Sequence, residues 1–202
     1  MINPQRFKAI WKTPDEISAA VEDIRRKYDI LQQHPINILA FAEFDLNFAF
    51  RFAPIRRLGQ DACLLTDLSG IVFDTDDFKA EQYGNRLRFS VAHELGHFFL
   101  HDYIYRQVDF KRIEEWLDFI NKIPSEEWAK VEWQADEFAG QLLVPLEKLV
   151  TCMEELMIDA EREGYTKLGD DAVWDFLCRG LAPEFGVSQA AIQTRLRRTK
   201  LR

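Results

Sequence analysis

The chain changes from one hydrophobic period to another, and the change predicts a sheet followed by helices. A Thr13-Pro14-Asp15-Glu16 start signal leads into apolar residues at helical spacing as far as Tyr28. Phenylalanines then occupy every second position from Phe48 to Phe52, which is the period of a strand. Beyond residue 88 the helical period dominates almost to the end of the chain. The pattern predicts an α+β fold.

Two short apolar runs between these regions predict the rest of the sheet. Residues 62–65 and 71–73 flank Asp67-Leu68-Ser69-Gly70, a sequence typical of a hairpin turn. We therefore expect a small antiparallel sheet ahead of the helices. The helices that the pattern predicts cover residues 88–103, 110–121, 126–143, 146–163, 170–182 and 189–198.

Composition and charge narrow the class of protein. Of the 202 residues, 47% are hydrophobic, which is typical of a globular chain, and no apolar run reaches the roughly 20 residues of a membrane span. The net charge of −8 disfavours binding to nucleic acid, because phosphates require a positive surface. Three cysteines without a CxxC pair, and an N-terminus without an apolar signal region, lead us to expect a cytoplasmic protein.

The sequence His93-Glu94-Leu95-Gly96-His97 carries the clearest chemistry. Residues four apart on a helix differ by about 40° in direction, so His93 and His97 project side by side as two imidazole ligands for one metal ion. Glu94 lies one step round the helix, where it can take a proton from a water molecule. A core helix with hydrogen-bonded histidines is the alternative, but three of the four histidines lie within these nine residues, 93–101.

A catalytic zinc site needs a third protein ligand. His101 lies about 6 Å beyond His97 along the helix axis, which is too far to share the ion. We expect His101 to be a core residue or to support a ligand. Tyr103 occupies the position at which an extended form of the motif would place a third histidine. The third ligand must therefore come from another element.

The helix predicted over residues 126–143 offers three acidic candidates. Measured from the centre of its apolar stripe, Glu132 lies about 60° away, Asp136 about 100° and Glu137 about 200°. We expect Glu132 to bind the metal and Asp136 to accept the free N–H of a ligand histidine. Glu137 is expected to face solvent. On spacing alone, an ordinary amphipathic helix with exposed acids remains the alternative.

These residues resemble the motifs of the ImmA/IrrE family of bacterial and phage metallopeptidases. The resemblance lies in residues 88–97 with Leu100-His101, in residues 132–145, and in residues 181–188 with Arg195-Leu196. It implies a minimal zincin-like fold with one Zn²⁺ per chain, ligands His93, His97 and Glu132, the catalytic base Glu94, and Asp136 beside them. It also implies a metallopeptidase domain over residues 1–145, followed by a helix-turn-helix-like segment over residues 146–202 that packs on the same domain.

The same resemblance implies a regulatory endopeptidase that cleaves a helix-turn-helix transcriptional repressor in a stress, phage or mobile-element circuit. The zinc would lower the pKa of its bound water to about 7, and Glu94 would take the proton.

A sheet-edge strand, either 62–65 or 71–73, is expected to hold the substrate as an added strand. A proline in the correct strand should abolish cleavage and leave the metal content intact. The unranked candidates for oxyanion stabilisation are Tyr103, Tyr105, Tyr165 and Arg195.

The basic C-terminal segment keeps a second function open. A Phe185-Gly186-Val187-Ser188 turn precedes an amphipathic helix, and the segment carries Arg195, Arg197, Arg198, Lys200 and Arg202. We expect it to complete the peptidase fold rather than bind DNA, because the rest of the chain is acidic. The rival hypothesis is a DNA-binding regulator, or an antitoxin-like binding module with a non-catalytic metal site. A general small-peptide hydrolase is the third.

Overall fold

The elements follow the order that the hydrophobic periods predict, with a small sheet ahead of most of the helices. The computed structural model of the chain describes residues 2–31, 33–75, 84–164 and 170–201. Its strands are β1 (Ala49–Ala53), β2 (Ala62–Leu64) and β3 (Gly70–Asp74). Its α-helices are α1 (Pro14–Lys27), α2 (Ile38–Ala40), α3 (Gly84–Leu100), α4 (Asp102–Tyr105), α5 (Ile113–Ile120), α6 (Ser125–Leu143), α7 (Leu146–Arg162), α8 (Asp170–Phe185) and α9 (Gln189–Arg198). The predicted α+β class is confirmed.

The start of α1 illustrates how the sequence sets a helix boundary. The Thr13 hydroxyl accepts the N–H of Glu16, and the Glu16 carboxylate accepts the N–H of Thr13 at 2.7 Å. This capping box satisfies backbone donors that the first turn leaves unpaired. The apolar face behind it is buried, with Ile17 and Val21 at most 4% exposed, so the helix predicted from the start signal is confirmed.

The sheet has the order β1-β3-β2, and its strands do not all run as expected. The hairpin prediction is confirmed, because β2 pairs antiparallel with β3 and places Leu64 opposite Ile71. The expectation of a wholly antiparallel sheet is wrong for β1, which pairs parallel with β3 and places Phe50 opposite Ile71. The chain reverses direction between β1 and β2, and it reverses again in the hairpin between β2 and β3. Two reversals leave β1 and β3 parallel, with β3 between the other two strands.

Helices α3 and α6 cross at very short distance, and Gly96 permits the crossing. A Cβ atom at Gly96 would lie 2.9 Å from the Cα of Ala135, closer than side-chain carbons approach a neighbouring backbone. Around this point the predicted apolar stripes meet, and Leu95 and Val131 are fully buried. The glycine inside the histidine motif therefore lets α6 approach the two histidines directly.

The C-terminal helices join through the predicted turn. Gly186 has a φ of +58°, a left-handed conformation that suits glycine, and the Ser188 hydroxyl accepts the N–H of Ala191 to cap α9. Ile192 and Leu196 of α9 are fully buried in the same hydrophobic cluster as the residues of α3 and α6.

A domain division at residue 145 stays a prediction. Among the described helices, none has both the length and the apolar character that a membrane crossing requires.

Candidate metal centre

The crossing of α3 and α6 brings together two histidines and one glutamate. The Nε2 atoms of His93 and His97 lie 3.1 Å apart. One carboxylate oxygen of Glu132 lies 3.2 Å from Nε2 of His93, and the other lies 3.5 Å from Nε2 of His97. One potential ligand atom from each residue lies within 4.8 Å of the other two, so the group could hold a metal ion. The structure thus assembles the three residues that the sequence put forward as ligands.

Each histidine has a second contact that orients its ring. Nδ1 of His93 lies 2.9 Å from Oδ1 of Asp136, so that a proton on Nδ1 is donated to the carboxylate. Nδ1 of His97 lies 3.2 Å from Nδ1 of His101. When Nδ1 of each histidine carries the proton in its contact, Nε2 of that ring keeps a lone pair. The two Nε2 atoms face each other and Glu132. Asp136 and His101 therefore lie where partners of ligand histidines are found.

The protonation of these histidines is set by burial and by nearby carboxylates. Burial lowers the pKa of His97 well below its usual value, so this ring is neutral and can offer a lone pair. Burial also lowers the pKa of His101, to about 3. For His93, burial again acts to lower the pKa, but hydrogen bonds to Asp136 and Glu132 outweigh it and raise the pKa to about 10. A positive charge at this place, whether proton or metal ion, is therefore strongly stabilised.

Glu94 is held beside the histidines by a strand. Its Oε2 accepts the backbone N–H of Leu64 in β2 at 2.6 Å, and the residue is only 7% exposed. Burial raises the pKa of Glu94 to about 7, against the opposing effect of His93. The second carboxylate oxygen has no hydrogen bond among the described residues. This is the state of a carboxyl group that can accept and release a proton near neutral pH.

The charges around the group fit a metal ion. Glu94, Glu132 and Asp136 make no ion pair with a lysine or arginine in the part of the chain that the structure describes. Three carboxyl groups and two imidazole rings thus converge, and no lysine or arginine among the described residues pairs with them. Imidazole nitrogen and carboxylate oxygen are a ligand set that zinc and related divalent cations accept.

Glu137 lies on the opposite side of α6, and the expectation that it faces solvent is wrong. It is 3% exposed. Its carboxylate accepts hydrogen bonds from Arg195 at 3.3 Å, Arg198 at 2.7 Å and the Gln141 amide at 2.7 Å. Helix α9 covers this side of α6, so a position that points away from α3 is still buried. Sequence spacing gave no sign of these partners.

The structure separates the four candidates for oxyanion stabilisation. Tyr105 is buried and lines the cavity that contains Glu94, whereas the Tyr103 hydroxyl accepts the N–H of Ile10 and Tyr103 does not line that cavity. Arg195 is occupied by Glu137 and by the carbonyl oxygen of Val144. Tyr165 lies outside the described residues.

The two candidate substrate strands are also separated. Strand β3 is paired on both sides and offers no free edge. Strand β2 is an edge strand, and its residues Ala62 and Cys63 line the cavity beside His93. The hydrogen bonds from Leu65 to Gly70 and from Asp74 to Asp61 make Cys63 and Val72 a hydrogen-bonded pair, so the backbone groups of Ala62 and Leu64 point outward. Leu64 uses its N–H to hold Glu94, which leaves Ala62 as the position for an added strand.

A helix with the motif His-Glu-x-x-His, crossed by a second helix that supplies a glutamate, defines the class of metallopeptidase-type domains. Residues 80–197 match the profile of the Peptidase_M78 family, described as the IrrE N-terminal-like domain. The match covers more than half of the chain, and the protein belongs to this family of metallopeptidases. No curated protein sequence gives a match to the chain.

Proposed function

We propose that the protein is a zinc-dependent endopeptidase with one Zn²⁺ per chain, bound by His93, His97 and Glu132. The observation that carries the proposal is the convergence of these three residues beside Glu94, a buried carboxyl group whose pKa is raised to about 7. Two imidazoles and one carboxylate leave a fourth position of a tetrahedral ion open for water or substrate, as catalytic zinc requires.

The roles of the protein groups follow from their contacts. A zinc ion bound here would supply Lewis acidity and lower the pKa of its water to about 7. Leu64 fixes Oε2 of Glu94, so Oε1 is free to take a proton from the attacking water and to pass it to the leaving amine. Asp136 fixes the ring of His93 and His101 fixes that of His97. These contacts hold the ligand atoms in place before the substrate binds.

We further propose that the substrate is a helix-turn-helix transcriptional repressor in the cytoplasm. The family resemblance supports the substrate class. The compartment is supported by the three cysteines, which are buried and form no disulfide. The C-terminal arginines support a structural role for α9 rather than a contact with DNA, because Arg195 and Arg198 both bind Glu137.

The test compares the zinc-loaded protein with a zinc-loaded Glu94→Gln variant. Each is incubated with an extract of the cells that express it, and new protein N-termini are identified by mass spectrometry. We expect new N-termini with the wild type, and a rate lower by about 10²–10⁴ with Glu94→Gln, because that side chain cannot take the proton. The matched control is Glu155→Gln, an exposed position on α7, which should cleave like the wild type.

The identity of the cleaved protein decides the second part of the proposal. New N-termini in a helix-turn-helix repressor support both parts. Cleavage confined to other proteins supports the endopeptidase and contradicts the repressor as substrate. If the folded, zinc-loaded wild type produces no new N-termini, the endopeptidase proposal itself is wrong.

A further inference from the structure

A cavity of about 280 Å³ extends from the metal group between α5 and the chain that follows β1. Its outer wall is formed by Leu58 and Gln60 on one side and by Leu117, Ile120 and Asn121 on the other. The volume is slightly below the roughly 300–1,000 Å³ of pockets that hold drug-sized ligands. It suits the reacting peptide bond together with one adjoining side chain.

Helix α5 packs Phe119 into the core and lines the cavity with Trp116, Leu117 and Ile120. Trp116 and Phe119 are buried and stack on each other with ring centroids 5.7 Å apart. Leu117, Ile120 and Asn121 follow at the i, i+3 and i+4 positions of one helical face, and this face lines the cavity. Leu117 and Ile120 are only partly buried, so each presents apolar surface that a ligand can cover.

Aromatic contacts fix this wall relative to the metal group. The ring of Trp116 lies 4.8 Å from that of Tyr105 and 6.0 Å from that of Trp128. Trp128 in turn lies parallel to the ring of His97, at an interplanar angle of 11° and a centroid distance of 6.1 Å. A rigid series of rings therefore connects α5 to a metal-binding residue, and the distance between wall and metal is set by packing.

The wall carries no charge with which a charged substrate residue could pair. Outside the metal group, the lining side chains that titrate are Cys63 and Tyr105. Thiol and phenol side chains are uncharged near neutral pH, so neither residue offers a charge. At this wall, away from the carboxylates of the metal group, a lysine, arginine or aspartate side chain would lose hydration without a counter-ion, which is costly. An apolar side chain would instead gain from burial against Leu117 and Ile120.

We propose that this cavity is the specificity subsite for a bulky apolar residue, leucine or phenylalanine, next to the scissile bond, and that Leu117 and Ile120 select it. The assignment rests on the proposed peptidase function. The substrate class is thus a protein that presents such a residue at the cleavage site, and helix α5 is the element that recognises it.

Binding of small metal-chelating probes tests this subsite independently of catalysis. The probes are the N-acetyl hydroxamates of leucine, phenylalanine, aspartate and lysine, titrated into the zinc-loaded protein by calorimetry. The hydroxamate group requires the metal, while the side chain samples the cavity. We expect the leucine and phenylalanine probes to bind at least about tenfold more tightly than the two charged probes, the lower end of what one apolar pocket contributes to discrimination.

A variant that reverses the preference provides the sharper result. Leu117→Glu should weaken the leucine probe and make the lysine probe at least about tenfold tighter than it is with the wild type, because the new carboxylate supplies the missing counter-ion. The control is Leu146→Glu, the same change at an exposed leucine on α7, which should leave the order of affinities unchanged. A gain in lysine affinity cannot arise from a misfolded protein.

The outcomes distinguish the two proposals. Equal binding of all four probes by the wild type, or an unchanged order in Leu117→Glu, would overturn the subsite and leave the zinc site in place. Failure of every probe to bind the zinc-loaded wild type would contradict the metal site, and with it the peptidase function on which the subsite rests.

Discussion

The carboxylates on the two sides of helix α6 differ in their exposure to solvent and in the side chains that they bind. On the side that faces α3, the side chains of Glu132 and Asp136 remain 40% and 47% exposed, and their ion-pair partners among the described residues are histidines. On the other side, Glu127 and Glu137 are each 3% exposed. Those two bind cations: Glu127 pairs with Lys8 and Lys130, and Glu137 with Arg195 and Arg198.

The difference shows that the balance of charge, and not burial, distinguishes the side of the helix that faces the candidate metal group. Glu137 is buried because two guanidinium groups and an amide satisfy its oxygens. Glu132 is the more exposed residue, and its partners among the described residues are two histidine rings rather than lysine or arginine. A carboxylate in that position contributes little to the fold by itself and much to the binding of a cation.

Removal of Glu137 should produce the largest change in stability. Glu137→Ala leaves the guanidinium of Arg195, which is only 8% exposed, without its carboxylate partner. Loss of one member of a buried ion pair typically lowers the free energy of unfolding by about 3–5 kcal/mol. Urea denaturation measures this quantity, with Glu126→Ala on the exposed first turn of α6 as control. Zinc affinity should be unchanged in the folded fraction, and a loss of zinc affinity without loss of stability would contradict the comparison.

The complementary change, Glu132→Gln, should lower the affinity for zinc and leave the free energy of unfolding of the metal-free protein nearly unchanged. Loss of a group that merely supports a ligand costs about 10–100-fold in affinity, so loss of the ligand itself should cost more than about 100-fold, or roughly 3 kcal/mol. Competition with a chelator measures the affinity, and urea denaturation of the metal-free protein should give nearly the wild-type value. Zinc binding at wild-type affinity would show that Glu132 is not a ligand.

The convergence of His93, His97 and Glu132 could be predicted from the sequence because helix geometry fixes directions within one element. Their role as metal ligands stays a prediction. His93 and His97 lie one turn apart on α3, and no tertiary information is needed to place them side by side. The prediction that Glu132 faces these histidines required one more inference, the direction of the apolar stripe that packs α6 against α3. Glu137 could not be placed in this way, because the arginines that bury it lie 58 and 61 residues further along the chain.

Contacts between distant elements account for the other differences. The parallel direction of β1 depends on the path of the chain between β1 and β2, which the period of alternation does not encode. The hydrogen bond from the Leu64 N–H to the Glu94 carboxylate joins positions 30 residues apart. The sequence of α5 is typical of an ordinary amphipathic helix. Which of its residues line the cavity depends on the elements packed around it, and the sequence does not show this.

The smallest expected effect concerns Glu127, where the paired cations are largely in water. Hydrogen bonds from Lys130 and from the N–H of Ala9 lower the pKa of Glu127 from 4.5 to about 2. Because the folded-state pKa is the lower one, the ionised carboxylate stabilises the fold above about pH 4.5, and this contribution is lost as the pH falls toward 2. Lys8 and Lys130 are 73% and 44% exposed, so water screens the attraction. Urea denaturation from pH 7 to 2 should show Glu127→Gln less stable than the wild type at neutral pH, with the two converging in acid. Glu126→Gln should follow the wild type throughout, and parallel curves for Glu127→Gln and the wild type would show that the pairing contributes nothing to the fold.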